Sequence, residues 1–175
     1  MLANCCAQEK YYNPFYALLG QKLCEYKDDF KYTFQFTLWD HINNLHRYTL
    51  RKVNNLARLA AEMIHTFALP LAALKGLEFE HMSQYQIIFL NIILEELFNK
   101  YVQNIPNYRA ESELLVIFQN LSRNRNASSF QDNLYFYLEH SFLPKTVKKY
   151  EKEDPEKMFE IKAKLETVLK VVPDE

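Results

Sequence analysis

Glycine is almost missing from this chain. Gly20 and Gly76 stand alone among 175 residues, where average usage would place glycine at roughly 7 % of positions. Only glycine takes positive φ at little cost, so phosphate-cradling loops and tight strand turns depend on it. No G-x-G-x-x-G and no G-x-x-x-x-G-K-S/T run is present, which excludes dinucleotide and Walker-type phosphate loops. Hairpin turns of the Asn-Gly or Asp-Gly kind are also absent. What remains is an all-α fold. Hydrophobic residues at 49 % and aromatics at 15 % supply enough apolar surface for a core, and disordered chains lack that composition. The length suits one domain of ordinary size.

Net charge is −1, so no bulk polyelectrolyte attraction to nucleic acid is expected, although a local basic patch remains open. The three cysteines, Cys5, Cys6 and Cys24, are odd in number and include an adjacent pair. They read as reduced thiols rather than a disulfide framework or a zinc site. No stretch reaches the ~18–20 apolar residues of a membrane span, so no membrane partner is expected. The N-terminus has no charged-then-apolar signal pattern. Leu2 to Cys6 reads as the interior of a helix.

Apolar spacing of three and four residues divides the rest into helices. Asn13-Pro14 reads as a helix start, with the amide as cap and proline in the first turn. Phe15, Leu18, Leu19 and Leu23 share its apolar face. From Phe30 to Leu45 one stripe is Phe30, Phe34, Leu38, Ile42 and Leu45. A second is Tyr32, Phe36 and Trp39, which predicts a helix sandwiched between neighbours. Thr49 reads as the cap of a third helix reaching about Phe67. There Leu50, Val53, Ala57, Ala60, Ile64 and Ala68 are expected to face inward, and Arg51, Asn55, Arg58 and Glu62 to form an outward polar stripe. A short helix from Leu71 to Lys75 is expected to stop at Gly76. Ser83 opens a second central helix, apolar on several faces through Ile87 to Leu97 and Tyr101 and closed by Pro106. A helix over about Glu111 to Leu121 follows. Ser128 to Gln131 has capping-box spacing, and its helix is expected to end at Pro144. Beyond it the composition shifts to Lys and Glu. Asp154-Pro155-Glu156 caps a last helix with the narrow stripe Met158, Ile161, Leu165, Val168 and Val172, expected to pack on its own chain. The layout is a series of antiparallel helix pairs on short loops, as in helical-repeat solenoids. It divides into a helical domain over 1–143 and a charged helical extension over 144–175.

Catalytic chemistry finds no foothold, and no cofactor is expected. His41 and His46 lie five apart, about 140° around a helix, so they cannot share a metal as H-E-x-x-H does. His65, His81 and His140 stand alone. Glu95-Glu96 face different directions, whereas acid–base work needs carboxylates converging on one cleft. No G-x-S-x-G elbow occurs. Tyr11, Tyr12, Phe15, Tyr16 and Trp39 read as core rather than as a base-stacking surface. The basic concentrations are Arg51, Lys52 and Arg58, with Arg123 and Arg125. A solvated face is the plain reading, and a patch for RNA phosphate or an acidic partner is the functional one. Arg51, Asn55, Arg58, Glu62, Arg123 and Arg125 are the candidate partner-binding residues.

Strings with more specificity sit in the first third: N-P-F-Y-A at Asn13 to Ala17, T-F-Q-F at Thr33 to Phe36, L-W-D at Leu38 to Asp40, and Asn54-Asn55-Leu56-Ala57. With Cys5 to Glu9 and Lys22 to Tyr26 they closely resemble the C-terminal MI (MA-three) domain of the nucleolar scaffold family that carries a middle-of-initiation-factor-4-gamma (MIF4G) domain. A paler likeness extends to the related spliceosomal scaffold. The match is dense from Cys5 to about Phe79 and looser to Leu143. The resemblance implies a HEAT-like stack of helix pairs and a non-enzymatic interaction module, in the nucleus and nucleolus, acting in small-subunit ribosome assembly and pre-rRNA processing. The partners it implies are pre-ribosomal proteins, an initiation-factor-4A-type DEAD-box helicase and rRNA; direct RNA binding is the alternative reading. Helicase-binding relatives carry acidic residues in a loop where this chain has Arg123-Asn124-Arg125-Asn126, the opposite charge. The helicase contact of two-domain scaffolds is expected on the middle domain, so no helicase-contact residue is carried over.

Overall fold

The computed structural model describes residues 1–100 and 109–170. Among them every regular element is helical: α1 (Leu2–Gln8), α2 (Phe15–Tyr26), α3 (Asp29–Asn44), α4 (Leu50–His65), α5 (Gln84–Lys100), α6 (Arg109–Ser122), α7 (Ser128–Tyr137), α8 (Leu143–Glu153) and α9 (Pro155–Leu169). The all-α expectation of paired helices on short connections holds. The chain forms two compact units, Met1–Leu97 and Phe98–Glu175. Tyr101, Pro106 and Val172, which figured in the reading above, lie outside the described residues.

In the first unit α4 is the central helix. Val53, Leu56, Ala57, Ala60 and Ile64 are all buried, and α1 and α2 both pack against it. Small residues on the inner side of α2, namely Ala17, Gly20 and Cys24, make the close approach possible. A Cβ on Gly20 would stand 3.2 Å from Met63 Cε. Thr49 caps α4 as expected, its side chain accepting from Lys52 N–H. The helix ends with Phe67 in the left-handed region at φ 58°, and Leu69 N–H returns to Met63 O at 2.9 Å. The segment Leu71–Gly76 is a 3-10 turn packed on α3. Gly76 does not stop it by a left-handed conformation, since no glycine here has positive φ. Its cause is proximity: a Cβ there would meet Trp39 Cδ1 at 2.8 Å. Ser83 opens α5 with a reciprocal capping box. Gln86 N–H donates to Ser83 Oγ at 3.3 Å, and Ser83 N–H to Gln86 Oε1 at 2.8 Å.

Several sequence expectations fail in this unit. The apolar face of α2 that includes Phe15, Leu18 and Leu19 points outward, with Leu18 59 % exposed. The helix instead buries its small residues against α4, where large side chains would not fit. On α3 the stripe of Tyr32 and Phe36 is 62 % and 59 % exposed, so this helix is covered on one side, not two. Tyr11 and Phe15 are likewise exposed, not core, and Leu50 sits at the open end of α4.

The second unit is built on aromatic rings. Phe98 stands 6.2 Å from Phe118 and 5.7 Å from Phe142, and Phe118 stands 6.2 Å from Tyr135. The expected capping box at Ser128 does not form. Asn124 Oδ1 accepts from Asn126 N–H at 3.2 Å and sets the turn, Ser128 is already helical, and Gln131 is buried. Nor does the chain stop at Pro144. A π turn over Leu138–Phe142 joins α7 to α8, and Pro144 falls in the first turn of α8, directly after the stretch where the regular α ladder is already interrupted. The shift in composition at 143/144 therefore lies inside a continuous helical run. Asp154 caps α9 by accepting from Lys157 N–H at 3.1 Å. Ile161, Leu165 and Val168 are buried as α9 packs on α6 and α8, so the last helix docks on its own unit. Lys164 is buried in that face and donates to Glu160 at 2.7 Å.

Candidate interaction surfaces

The stripe on α4 does not form the outward patch that its spacing suggests. Asn55 is 1 % exposed. Its Nδ2 donates to Cys6 O at 3.2 Å and Glu9 O at 2.9 Å, tying the end of α1 to α4. Arg58 Nε donates to Glu96 Oε1 at 2.8 Å, and its guanidinium stands 5.7 Å from the Tyr12 ring centre. Glu62 is half-buried near the Tyr12 hydroxyl. Burial first, and the Glu62 charge after it, push that phenol well above its ordinary range. The stripe is thus covered by the α1–α2 connection, and a polar pattern alone could not reveal the cover. Arg51 remains exposed. Asn55 is removed from any partner surface, and Arg58 and Glu62 are committed within the unit. Arg123 and Arg125 are exposed on the α6–α7 turn of the second unit.

The histidines are dispersed. His41 is buried, with Nδ1 3.0 Å from the Tyr48 hydroxyl and Nε2 buried without a partner among the described residues. Burial holds its pKa below the ordinary value, with the Asp40 charge pulling the other way. His46 and His81 line an open pocket of about 220 Å³ with Asn43, Glu78, Ser83 and Gln86. His140 stacks on Phe136 at 4.2 Å. Among the described residues no group of three or more His, Cys, Asp or Glu is placed to hold a metal ion, and no helix is long and apolar enough to cross a membrane.

The surfaces that remain are apolar or basic. Phe15, Leu18 and Leu19 form one face of α2. Tyr32 and Phe36 continue along α3, with Phe36 edge-on to Trp39 at 5.4 Å. The turn from α3 into α4 carries His46, Arg47, Arg51 and Lys52. Sequence reasoning placed most of these rings in the core. The signal it lacked was that α2 already had a second, small-residue face able to pack.

Comparison with known proteins gives these features a context. Residues 1–70 match the family model described as MA3 domain. Nucleolar MIF4G domain-containing protein 1 of Mus musculus is 35 % identical over 146 residues, covering 83 % of this chain and 16 % of that protein. The Homo sapiens protein of the same name is 33 % identical over 167 residues, covering 95 % of this chain and 18 % of its own length. A pre-mRNA-splicing factor CWC22 homolog of Mus musculus is 28 % identical over 99 residues, covering 55 % of this chain and 11 % of that protein. The chain therefore spans less than one fifth of the curated relatives it matches.

Proposed function

Since the chain belongs to the MA3-domain proteins of the nucleolar MIF4G family, we propose that it is a non-catalytic protein-interaction module of a nucleolar scaffold acting in small ribosomal subunit biogenesis and pre-rRNA processing. In this reading it works in the nucleolus beside pre-ribosomal proteins and an initiation-factor-4A-type DEAD-box helicase. The helicase contact is assigned to a middle domain rather than to any residue here. The observation that carries the reading is the outward face of α2. Phe15, Leu18 and Leu19 lie opposite the buried Ala17, Gly20 and Cys24. A helix that holds its place with small residues and presents large ones to solvent is arranged for docking. Arg51, and Arg123 with Arg125, are offered as the polar contacts to partners.

The test is affinity purification of the tagged chain from nucleolar extract. Wild-type protein is expected to recover small-subunit precursor proteins. Leu18→Glu with Leu19→Glu is expected to lose the precursor proteins while keeping wild-type helicity. Charge reversal at Arg51 is expected to cost less. Recovery that is the same with and without the α2 substitutions would overturn the assignment of that face. A wild-type chain that recovers no pre-ribosomal protein would sink the function itself.

A further inference from the structure

We propose that the outer face of α3, and the pocket at its C-terminal end, form a binding surface for single-stranded RNA. This goes beyond the docking role of α2 and does not depend on the helicase. Tyr32, Phe36, Trp39, Asn43 and His46 recur at intervals of four and three residues, so they follow one another along one side of the helix and its 3-10 continuation. The first three are rings. Tyr32 and Phe36 are open to solvent, and Phe36 meets Trp39 edge to face. The indole is fixed before any ligand arrives. Its Nε1–H donates to Ala73 O at 2.8 Å, and Lys75 Nζ stands 5.4 Å from its ring. Exposed rings flanked by a lysine are the usual stacking platform for unpaired bases.

The stripe leads into the 220 Å³ pocket, several times the ~30 Å³ of a water molecule. Asn43, His46, Glu78 and His81 all line it; His81 N–H donates to Glu78 O at 3.0 Å through the main chain, and none of the four side chains has a hydrogen-bond partner among the described residues. Four unengaged polar side chains around one recess suit the edge of a base. The Glu78 carboxylate repels phosphate and accepts from an exocyclic amino group, so a base bearing such a group fits better than uracil.

Phosphates find their place next door. From His46 to Lys52 the chain carries His46, Arg47, Arg51 and Lys52 and no acidic residue. Arg47 and Arg51 are exposed and enter no ion pair among the described residues. Arg51 and Lys52 occupy the first turn of α4, which has no acidic residue. Cations at a helix N-terminus oppose its dipole, an arrangement that a bound anion reverses. The Tyr48 hydroxyl, hydrogen-bonded to His41, pins this turn to α3.

Trp39 is the one tryptophan in the chain and reports directly. The experiment titrates the full chain with a 12-nucleotide cytosine-rich RNA, reading Trp39 emission and RNA anisotropy at 50 and 200 mM KCl. Saturable quenching is expected. Three phosphate contacts predict an affinity loss of about 20-fold between the two salts. Phe36→Ala is expected to weaken binding about 10-fold or more, Arg47→Glu with Arg51→Glu to abolish it, and an oligouridine of equal length to bind less tightly. Lys145→Glu with Lys148→Glu, exposed on α8, is expected to bind as wild type does. Circular dichroism confirms that each variant is folded. Binding equally weakened by the Lys145/Lys148 variant, binding untouched by Phe36→Ala, or tighter binding of a duplex would overturn the proposal. So would no RNA binding in a chain that still captures a protein through Phe36. None of these results bears on recovery of pre-ribosomal proteins through α2.

Discussion

Replacing Asn55 by alanine tests whether the polar stripe of α4 faces inward. The side chain holds two backbone carbonyls at the end of α1, and truncation removes both hydrogen bonds. Each is worth about 0.5–1.5 kcal/mol net. Cys6 O keeps a bond from Glu9 N–H at 3.3 Å, whereas Glu9 O, which is only partly buried, must turn to water. Alanine returns about 0.5 kcal/mol through its better helix propensity. The balance is a loss of about 0.5–2.5 kcal/mol. In urea, with a slope of ~2 kcal/mol/M, the unfolding midpoint should fall by about 0.3–1.2 M. Amides of α1 should exchange faster than those of α5, because the first helix loses its anchor before the unit unfolds. Asn43→Ala, on the exposed side of α3, serves as control and should stay within about 0.5 kcal/mol of wild type. A midpoint for Asn55→Ala that coincides with wild type, or unaltered α1 exchange, would refute the inward reading and restore Asn55 to the surface.

Three further outcomes follow from the geometry. Gly76→Ala should cost about 1–2 kcal/mol, because its Cβ would enter the Trp39 ring as an overpacked core residue does; unshifted Trp39 emission with wild-type stability would contradict this. His41 is held below its ordinary pKa by burial, so the unfolded chain binds its proton more readily. Stability is therefore full above pH 6.5, the ordinary value, and falls as pH drops below it through the folded-state pKa, by at most ~1.4 kcal/mol per pH unit. His41→Gln should flatten that part of the pH–stability curve, and an unchanged slope would show that other groups govern it. Cys5 is exposed while Cys6 and Cys24 are buried, and burial, with Glu9 nearby, pushes the Cys6 thiol up to about 11. Alkylation at pH 8 should label one thiol per native chain and three in urea, as counted by mass spectrometry; two native adducts would place Cys6 or Cys24 at the surface.

The helices were legible wherever a local signal fixed them. Thr49, Ser83 and Asp154 each precede a helix and each accepts the expected backbone bond. The absence of phosphate loops was equally plain from two glycines. Direction was harder to read. Spacing shows that Phe15, Leu18 and Leu19 share a face, but not whether that face turns inward. On α2 the competing face of Ala17, Gly20 and Cys24 wins because α4 lies too close for larger groups. The same ambiguity misplaced Asn55, whose partners sit 46 and 49 residues earlier. No window of one helix contains the carbonyls that draw it inward. Gly76 was singled out correctly for the wrong cause, since the nearby Trp39 ring, not a left-handed turn, requires it. Of the six candidate binding residues, Arg51, Arg123 and Arg125 are exposed; the other three are engaged by the fold.

The π turn between α7 and α8 gives this part of the chain a slack that the helices around it lack. It holds one residue more than an α turn, and the wider winding absorbs that surplus, so α8 keeps the phase that buries Thr146 and Tyr150. A residue added or removed within α8 itself has no such allowance: it would turn everything after it by about 100° about the axis. Changes of length should therefore be felt less at Glu139 or Ser141 than at Lys148.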